Sequence, residues 1–378
     1  MNATNPSAGQ TAHNEYIPAL DGLRGIAILL VISYHYLGLH PVFSFGWCGV
    51  DLFFVLSGYL ITQRLLANAS EPNRYALFYR NRMLRIIPLY FLVLIVFFAV
   101  IFFFKSPEGF VFYRKYWPYF FVFLQNWVFI FKGYPTELYF RHLWSIAVEE
   151  QFYLLWPFIV YLLSYRFNII KLTWGLLVIT LLVRIAGALM LPANYDYYSN
   201  TFFRADAFLV GALLYLTLQH AKLPAAFKAI LYAAPLIVIA HILFYQSARH
   251  YAPYWKFAGF TALAFSFALL VYSALTCAKT SVWSRFLTFK PLLLTGKLSY
   301  GLYIFHWPML LLVNDRLYQL YGHVTANGSL ARGLSLLSTF GLSFCLSYLS
   351  YRYYEIYFLR KKRYKNAVSS SIQQLPAQ

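Results

Sequence analysis

The stretch Ile17-Pro-Ala-Leu-Asp21-Gly-Leu-Arg24-Gly-Ile-Ala-Ile-Leu-Leu-Val-Ile-Ser-Tyr-His35-Tyr-Leu37 decides the fold. It is apolar over about the 20 residues that a membrane-spanning helix needs, yet it carries an acid, an arginine and a histidine. Eleven helical steps of ~100° come within ~20° of three full turns and rise ~16 Å, so Arg24 and His35 share one face at different depths. Ionisable groups inside a bilayer are costly unless paired or hydrated, and they mark chemistry or transport more often than folding.

Segments of similar length recur along the chain. The pattern predicts helices at about 17–38, 47–66, 84–104, 146–164, 172–191, 202–219, 229–246, 257–277, 291–313 and 333–358. With 61% hydrophobic, 21% aromatic and only 11% charged residues, the 378-residue chain has too little polar surface for a water-soluble globule. The expectation is an all-α integral membrane protein of about ten transmembrane helices in one bundle, with membrane lipids as its solvent. Residues 1–15 read as a polar tail, 16–358 as one membrane domain and 359–378 as a basic, then disordered, tail. The polar N-terminus lacks the basic region of a signal peptide, so the first apolar segment is read as retained.

The net charge of +19 raises the possibility of nucleic-acid binding, but its distribution argues otherwise. With the N-terminus inside, 18 of the 31 Lys and Arg residues fall in inner loops or helix ends, 9 outside and 4 within or at the edges of spans. This bias places both termini in the cytoplasm, in an inner (plasma) membrane, with no nucleic-acid partner. The aromatic stretch 116–131 is too short to span, and counting it would invert that bias, so it reads as re-entrant or interfacial. Cys48, Cys277 and Cys345 are scattered, odd in number and without metal-ligand spacing, so neither a disulfide frame nor a metal site is expected.

More polar groups follow the first pair. Asp51 and Ser57 lie in the second predicted helix, and Glu149-Glu150-Gln151 follows His142-Leu-Trp-Ser145 in the fourth. Ser299 and His306, seven residues apart, share a face of the ninth, with Tyr303 between them. Individually, Arg24 reads equally well as an interface anchor, His35 as a core histidine and Glu150 as a partner of Arg184 or Arg204. Together they describe a shared polar interior. Arg80-Asn-Arg82-Met-Leu-Arg85-Ile-Ile-Pro88 is either a topological anchor or a phosphate clamp, since guanidinium groups bind phosphate oxygens bidentately.

Several of these stretches resemble the membrane-bound acyltransferase-3 family, which includes bacterial polysaccharide and lipopolysaccharide O-acetylases. They are Asp21-Gly-Leu-Arg-Gly-Ile-Ala with His35 beyond it, Gly49-Val-Asp-Leu-Phe-Phe-Val-Leu-Ser-Gly-Tyr59, Arg82-Met-Leu-Arg85, Leu143-Trp-Ser-Ile-Ala-Val-Glu-Glu-Gln-Phe-Tyr153, Phe203-Arg-Ala-Asp-Ala-Phe-Leu-Val-Gly211 and Ser299-Tyr-Gly-Leu-Tyr-Ile-Phe-His306. The resemblance implies ten helices, an acetyl-CoA or other acyl-CoA donor bound from the cytoplasm, and transfer to an acceptor on the far side. It further implies that His35 is the catalytic histidine and that Arg24, Arg82 and Arg85 bind the donor. Some relatives append a hydrolase-like domain, and none is expected here, which leaves open a partner protein that presents the acceptor.

The expected chemistry is general-base or covalent catalysis by His35. Asp51, Glu149 or Glu150 would orient its ring, while His306, Tyr303 and Ser299 would bind the acceptor or the oxyanion. The acceptor is expected to be an envelope glycan or lipid-linked saccharide. The tyrosine-rich stretches around 195–198 and 251–255 would stack on sugars, or else form an interfacial aromatic belt. Alternatives are acylation of a small exported metabolite or amine, and a proton-coupled secondary transporter, for which no inverted repeat is seen.

Overall fold

A computed structural model describes residues 16–38, 40–103, 110–163, 166–192, 195–219, 223–245 and 254–362. The expected tails at 1–15 and from 363 onward, and the loop positions Lys105, Lys222, Arg249 and Tyr251, lie outside the described residues. Everything regular within them is helical. In chain order the helices are α1 (Pro18–Leu37), α2 (Gly49–Ala67), α3 (Arg74–Phe103), α4 (Val111–Phe121) and α5 (Gln125–Lys132). Then come α6 (Trp144–Phe158), α7 (Ile169–Met190), α8 (Thr201–Leu218), α9 (Ala225–Tyr245) and α10 (Phe260–Thr276). The chain ends with α11 (Val282–Leu287), α12 (Lys290–Lys297), α13 (Ser299–Val324), α14 (Gly328–Leu349) and α15 (Ile356–Leu359). A π-helical turn, Ser350–Glu355, joins α14 to α15.

Among the described residues, nine helices are long and apolar enough to cross a membrane. The predicted span at 291–313 is instead divided into α12 and α13. At 26 residues α13 is long enough, but Asn314, Asp315 and Arg316 near its middle dilute its hydropathy. It is screened by α14, which faces it with Ser335, Thr339, Ser343 and Ser347, all fully buried at four-residue spacing. The last three of these hydroxyls donate to the carbonyl four residues back, which satisfies them while keeping the face small enough for close packing.

The third helix also differs from expectation. It begins at Arg74, ten residues before the predicted 84, so Arg80 and Arg82 project from helix rather than loop, as Arg85 does. Hydropathy rejects these basic turns, but Phe78, Ile86 and Leu89 bury a continuous stripe along them. The 116–131 stretch forms part of α4 and α5, of 11 and 8 residues, each too short to span. Gln151 ties this hairpin to α6, donating to the Phe123 carbonyl at 2.7 Å and to Asn126 Oδ1 at 2.9 Å.

Two devices fix the core. At the α2–α8 crossing a Cβ on Gly58 would collide with the Phe208 carbonyl, and one on Gly211 with the Val55 carbonyl, so only glycine permits this approach. Beside that crossing lie two fully buried ion pairs, Asp51–Arg204 and Arg184–Asp206, the second at 2.6 Å and bridged by Thr261. Leu182, Leu236 and Leu337 are among the large apolar side chains left facing outward, as a lipid-solvated surface requires.

Candidate active site

The basic cluster and the first helix meet at one end of the bundle. Arg24 on α1 donates to Asp21 Oδ1 at 2.7 Å, and Tyr16 donates to Asp21 Oδ2 at the same distance. Burial, then the bond to Asp21, pushes the Tyr16 phenol above its usual range. Around Arg24 opens a cavity lined also by Arg64 of α2, by Arg82 and Arg85 of α3, and by Lys362 just past α15. Desolvation, followed by repulsion from Arg85, Arg82, Arg24 and Arg64, pulls the Lys362 amine down to about 6. Four guanidinium groups and the Lys362 amine face one carboxylate, Asp21. Such a mouth fits a polyanion.

A second cavity shares Arg24, Leu60, Arg82 and Arg85 with the first and continues into the bundle. Its deeper lining includes Ser57, Ser145, Glu149, Tyr153, Ser299 and Tyr303. Ser57 Oγ donates to Glu149 Oε1 at 2.5 Å, Tyr153 donates to the same oxygen, and the Arg82 guanidinium stands 5.1 Å over the Tyr153 ring. Tyr303 donates to the His142 carbonyl at 2.6 Å; its single proton is thereby used, so the 2.6 Å bond to Ser145 is donated by the serine.

Beyond Tyr303 three imidazoles meet. His142 lies edge-on to His306 with ring centroids 5.3 Å apart. His306 stacks on His35 at 5.0 Å with planes 17° apart, and His35 Nδ1 lies 2.7 Å from His306 Nε2. Their protons follow from chemistry. The Leu302 carbonyl, 2.9 Å from His306 Nδ1, only accepts, so that nitrogen carries hydrogen. Neutral His306 then accepts at Nε2, His35 donates from Nδ1, and His35 Nε2 is left with its lone pair. Trp307 closes the other side of His35, its ring centroid 4.5 Å away, and is itself fixed by donating to the Leu138 carbonyl at 2.7 Å. Among the described residues no three His, Cys, Asp or Glu side chains form a metal-holding group.

Arg24, Arg82, Arg85, Ser299, Tyr303 and Glu149 thus lie along one passage, with His306 and His35 beyond its deep end. The expected carboxylate partner of His35 is absent from the hydrogen bonds at that ring, and His306 occupies the position. Asp51 is paired with Arg204; Glu149 serves Ser57 and Tyr153; Glu150 Oε1 is buried without a hydrogen-bond partner. Arg184 and Arg204 hold Asp206 and Asp51, not Glu150. Sequence reasoning passed over Arg64 and Lys362, which read as topological charges, and His142 and Ser145, which flank the more conspicuous acids.

The chain matches the acyltransferase domain family over residues 17–352. It is 31% identical to the O-acetyltransferase OatA of Staphylococcus aureus (strain NCTC 8325 / PS 47), an alignment covering 93% of this chain and 58% of that protein. It is 32% identical to the putative peptidoglycan O-acetyltransferase YrhL of Bacillus subtilis, covering 80% of this chain and 50% of that protein. Identity to the peptidoglycan O-acetyltransferase OatA of Listeria monocytogenes is 33%, over 79% of this chain and 50% of that protein. The chain spans about half the length of these relatives, and no solved structure matches it. With the family match running from the first helix to the π-helical turn after α14, this integral membrane protein belongs to the acyltransferase-3 family.

Proposed function

We propose that the chain is a transmembrane O-acyltransferase, moving an acetyl group from cytoplasmic acetyl-CoA to a hydroxyl of an envelope glycan on the far side. The observation that carries this reading is the pair of cavities that share Arg24, Arg82 and Arg85 in their walls, the inner one lined as far as Tyr303, whose ring is 5.7 Å from that of His306. A diphosphate at the arginines would leave an extended arm to follow the second cavity. The ~16 Å rise between Arg24 and His35 along α1 suits an arm of that kind. The peptidoglycan acetylation named for the relatives favours a glycan hydroxyl as acceptor, free or lipid-linked.

His35 acts as general base. Its Nε2 takes the proton of the acceptor hydroxyl as the oxygen attacks the thioester carbonyl. The imidazolium then returns the proton to the departing sulfur as the C–S bond breaks. His306 positions the ring through Nδ1 and spreads the transient positive charge, the part an aspartate plays in a serine-protease triad. Ser299 and Tyr303 line the path of the acyl arm, and Glu149 shapes its wall through Ser57 and Tyr153. Asp51 belongs to the scaffold.

The test is acetyl transfer in proteoliposomes, with acetyl-CoA on one side and glycan acceptor on the other, and product read by mass spectrometry. Wild-type protein should yield an acetylated glycan and His35→Ala none. Transfer at wild-type rate by a normally inserted His35→Ala protein would refute the assignment.

A further inference from the structure

The structure assigns Lys362 to the donor site: we propose that Lys362, just past α15, forms part of the wall of the cationic mouth and recognises the 3′-phosphate of the CoA nucleotide. This rests on the acyl-CoA reading above and extends it to a residue beyond the arginine motifs.

Geometry fixes where the segment goes. Arg80 donates to the Lys361 carbonyl at 3.2 Å, and Tyr354 in the π-helical turn donates to the Pro88 carbonyl at 3.2 Å. Both contacts dock the C-terminal helix on α3, the element that presents Arg82 and Arg85, and the next residue, Lys362, lines the cavity. Arg24, Arg82 and Arg85 lie where the two cavities join, whereas Arg64 and Lys362 line only the outer one.

The donor has a matching order. Its thioester arm leads to a pyrophosphate, and beyond that lies a ribose carrying a further phosphate. With the arm in the inner cavity, the pyrophosphate falls at the shared arginines and the 3′-phosphate at the outer cations. The balance of charge agrees once binding protonates Lys362, since five cations less one carboxylate then match the roughly four negative charges of CoA.

The experiment is calorimetric titration of the full chain in nanodiscs with CoA and with dephospho-CoA, which lacks only the 3′-phosphate. Wild-type protein should prefer CoA. Lys362→Ala should weaken CoA binding about tenfold while leaving dephospho-CoA nearly unchanged, and Lys362→Arg should keep the preference. Equal weakening of both ligands by Lys362→Ala, or no weakening of either, overturns the assignment while leaving the donor reading intact. Failure of wild-type protein to bind either ligand overturns both.

Discussion

His35 and His306 are 271 residues apart in sequence and 2.7 Å apart at their facing nitrogens, and the second ring determines which nitrogen of the first is basic. Replacing His306 by Ala removes the acceptor for Nδ1–H and lets the His35 ring turn or change tautomer. The expected result is a fall in kcat of about 10²-fold or more with little change in the KM for acetyl-CoA. His306→Gln, which retains an acceptor oxygen, should recover part of that loss. Steady-state kinetics of the two variants check the point; equal losses in both would remove His306 from the mechanism.

Arg82 and Arg85 are expected to act on donor affinity. Either one changed to Ala loses a charge-assisted contact of about 1.5–3 kcal/mol, a rise in the KM for acetyl-CoA of roughly 10- to 150-fold. The kcat at saturation should change far less, and raising salt should weaken wild-type binding more than that of the variants. Binding isotherms at two ionic strengths measure both effects.

Asp51 offers a test of scaffold against chemistry. Asp51→Ala strands the Arg204 guanidinium, which has no exposure and stacks 4.0 Å over Phe260, and should cost about 3–5 kcal/mol of stability. Asp51→Leu combined with Arg204→Met removes both charges and should restore most of it. Thermal unfolding in detergent reads this directly. A double variant that unfolds normally but has no activity would return Asp51 to the catalytic list.

The pH dependence of donor binding has a definite sign. Burial, then repulsion from Arg85, Arg82, Arg24 and Arg64, pulls the Lys362 amine down to about 6, with Asp21 and Tyr16 lining the same cavity. A bound polyanion raises that value. Below pH 6 the amine is already charged, so its protonation adds no pH dependence. Above it, binding takes up a proton, so affinity falls as pH rises beyond about 6. Calorimetry in buffers of different ionisation enthalpy should show this uptake in the wild type, and Lys362→Arg should abolish it.

Much of this arrangement is legible in the chain. Apolar runs mark the helices because a bilayer leaves few other ways to satisfy the backbone, and helical geometry alone places Arg24 and His35 on one face. What escapes is whatever depends on the crossing of distant helices. Asp51 reads as a candidate acid until Arg204 is seen beside it. Lys362 hides in a basic run that resembles an ordinary topological anchor. The hydroxyl stripe Ser335, Thr339, Ser343 and Ser347 was visible at four-residue spacing, and it would have marked the face that packs on α13.

The three imidazoles also set an order of events during synthesis. His35 is made in the first helix, His142 at the approach to α6, and His306 only in α13, 271 residues after His35. Until α13 docks, His35 lacks the ring that holds its tautomer, and a chain stopped before that helix keeps Arg24, Arg82 and Arg85 but has no His306 beside His35. The contact between the two histidines therefore reports that α13 has found its place against α1.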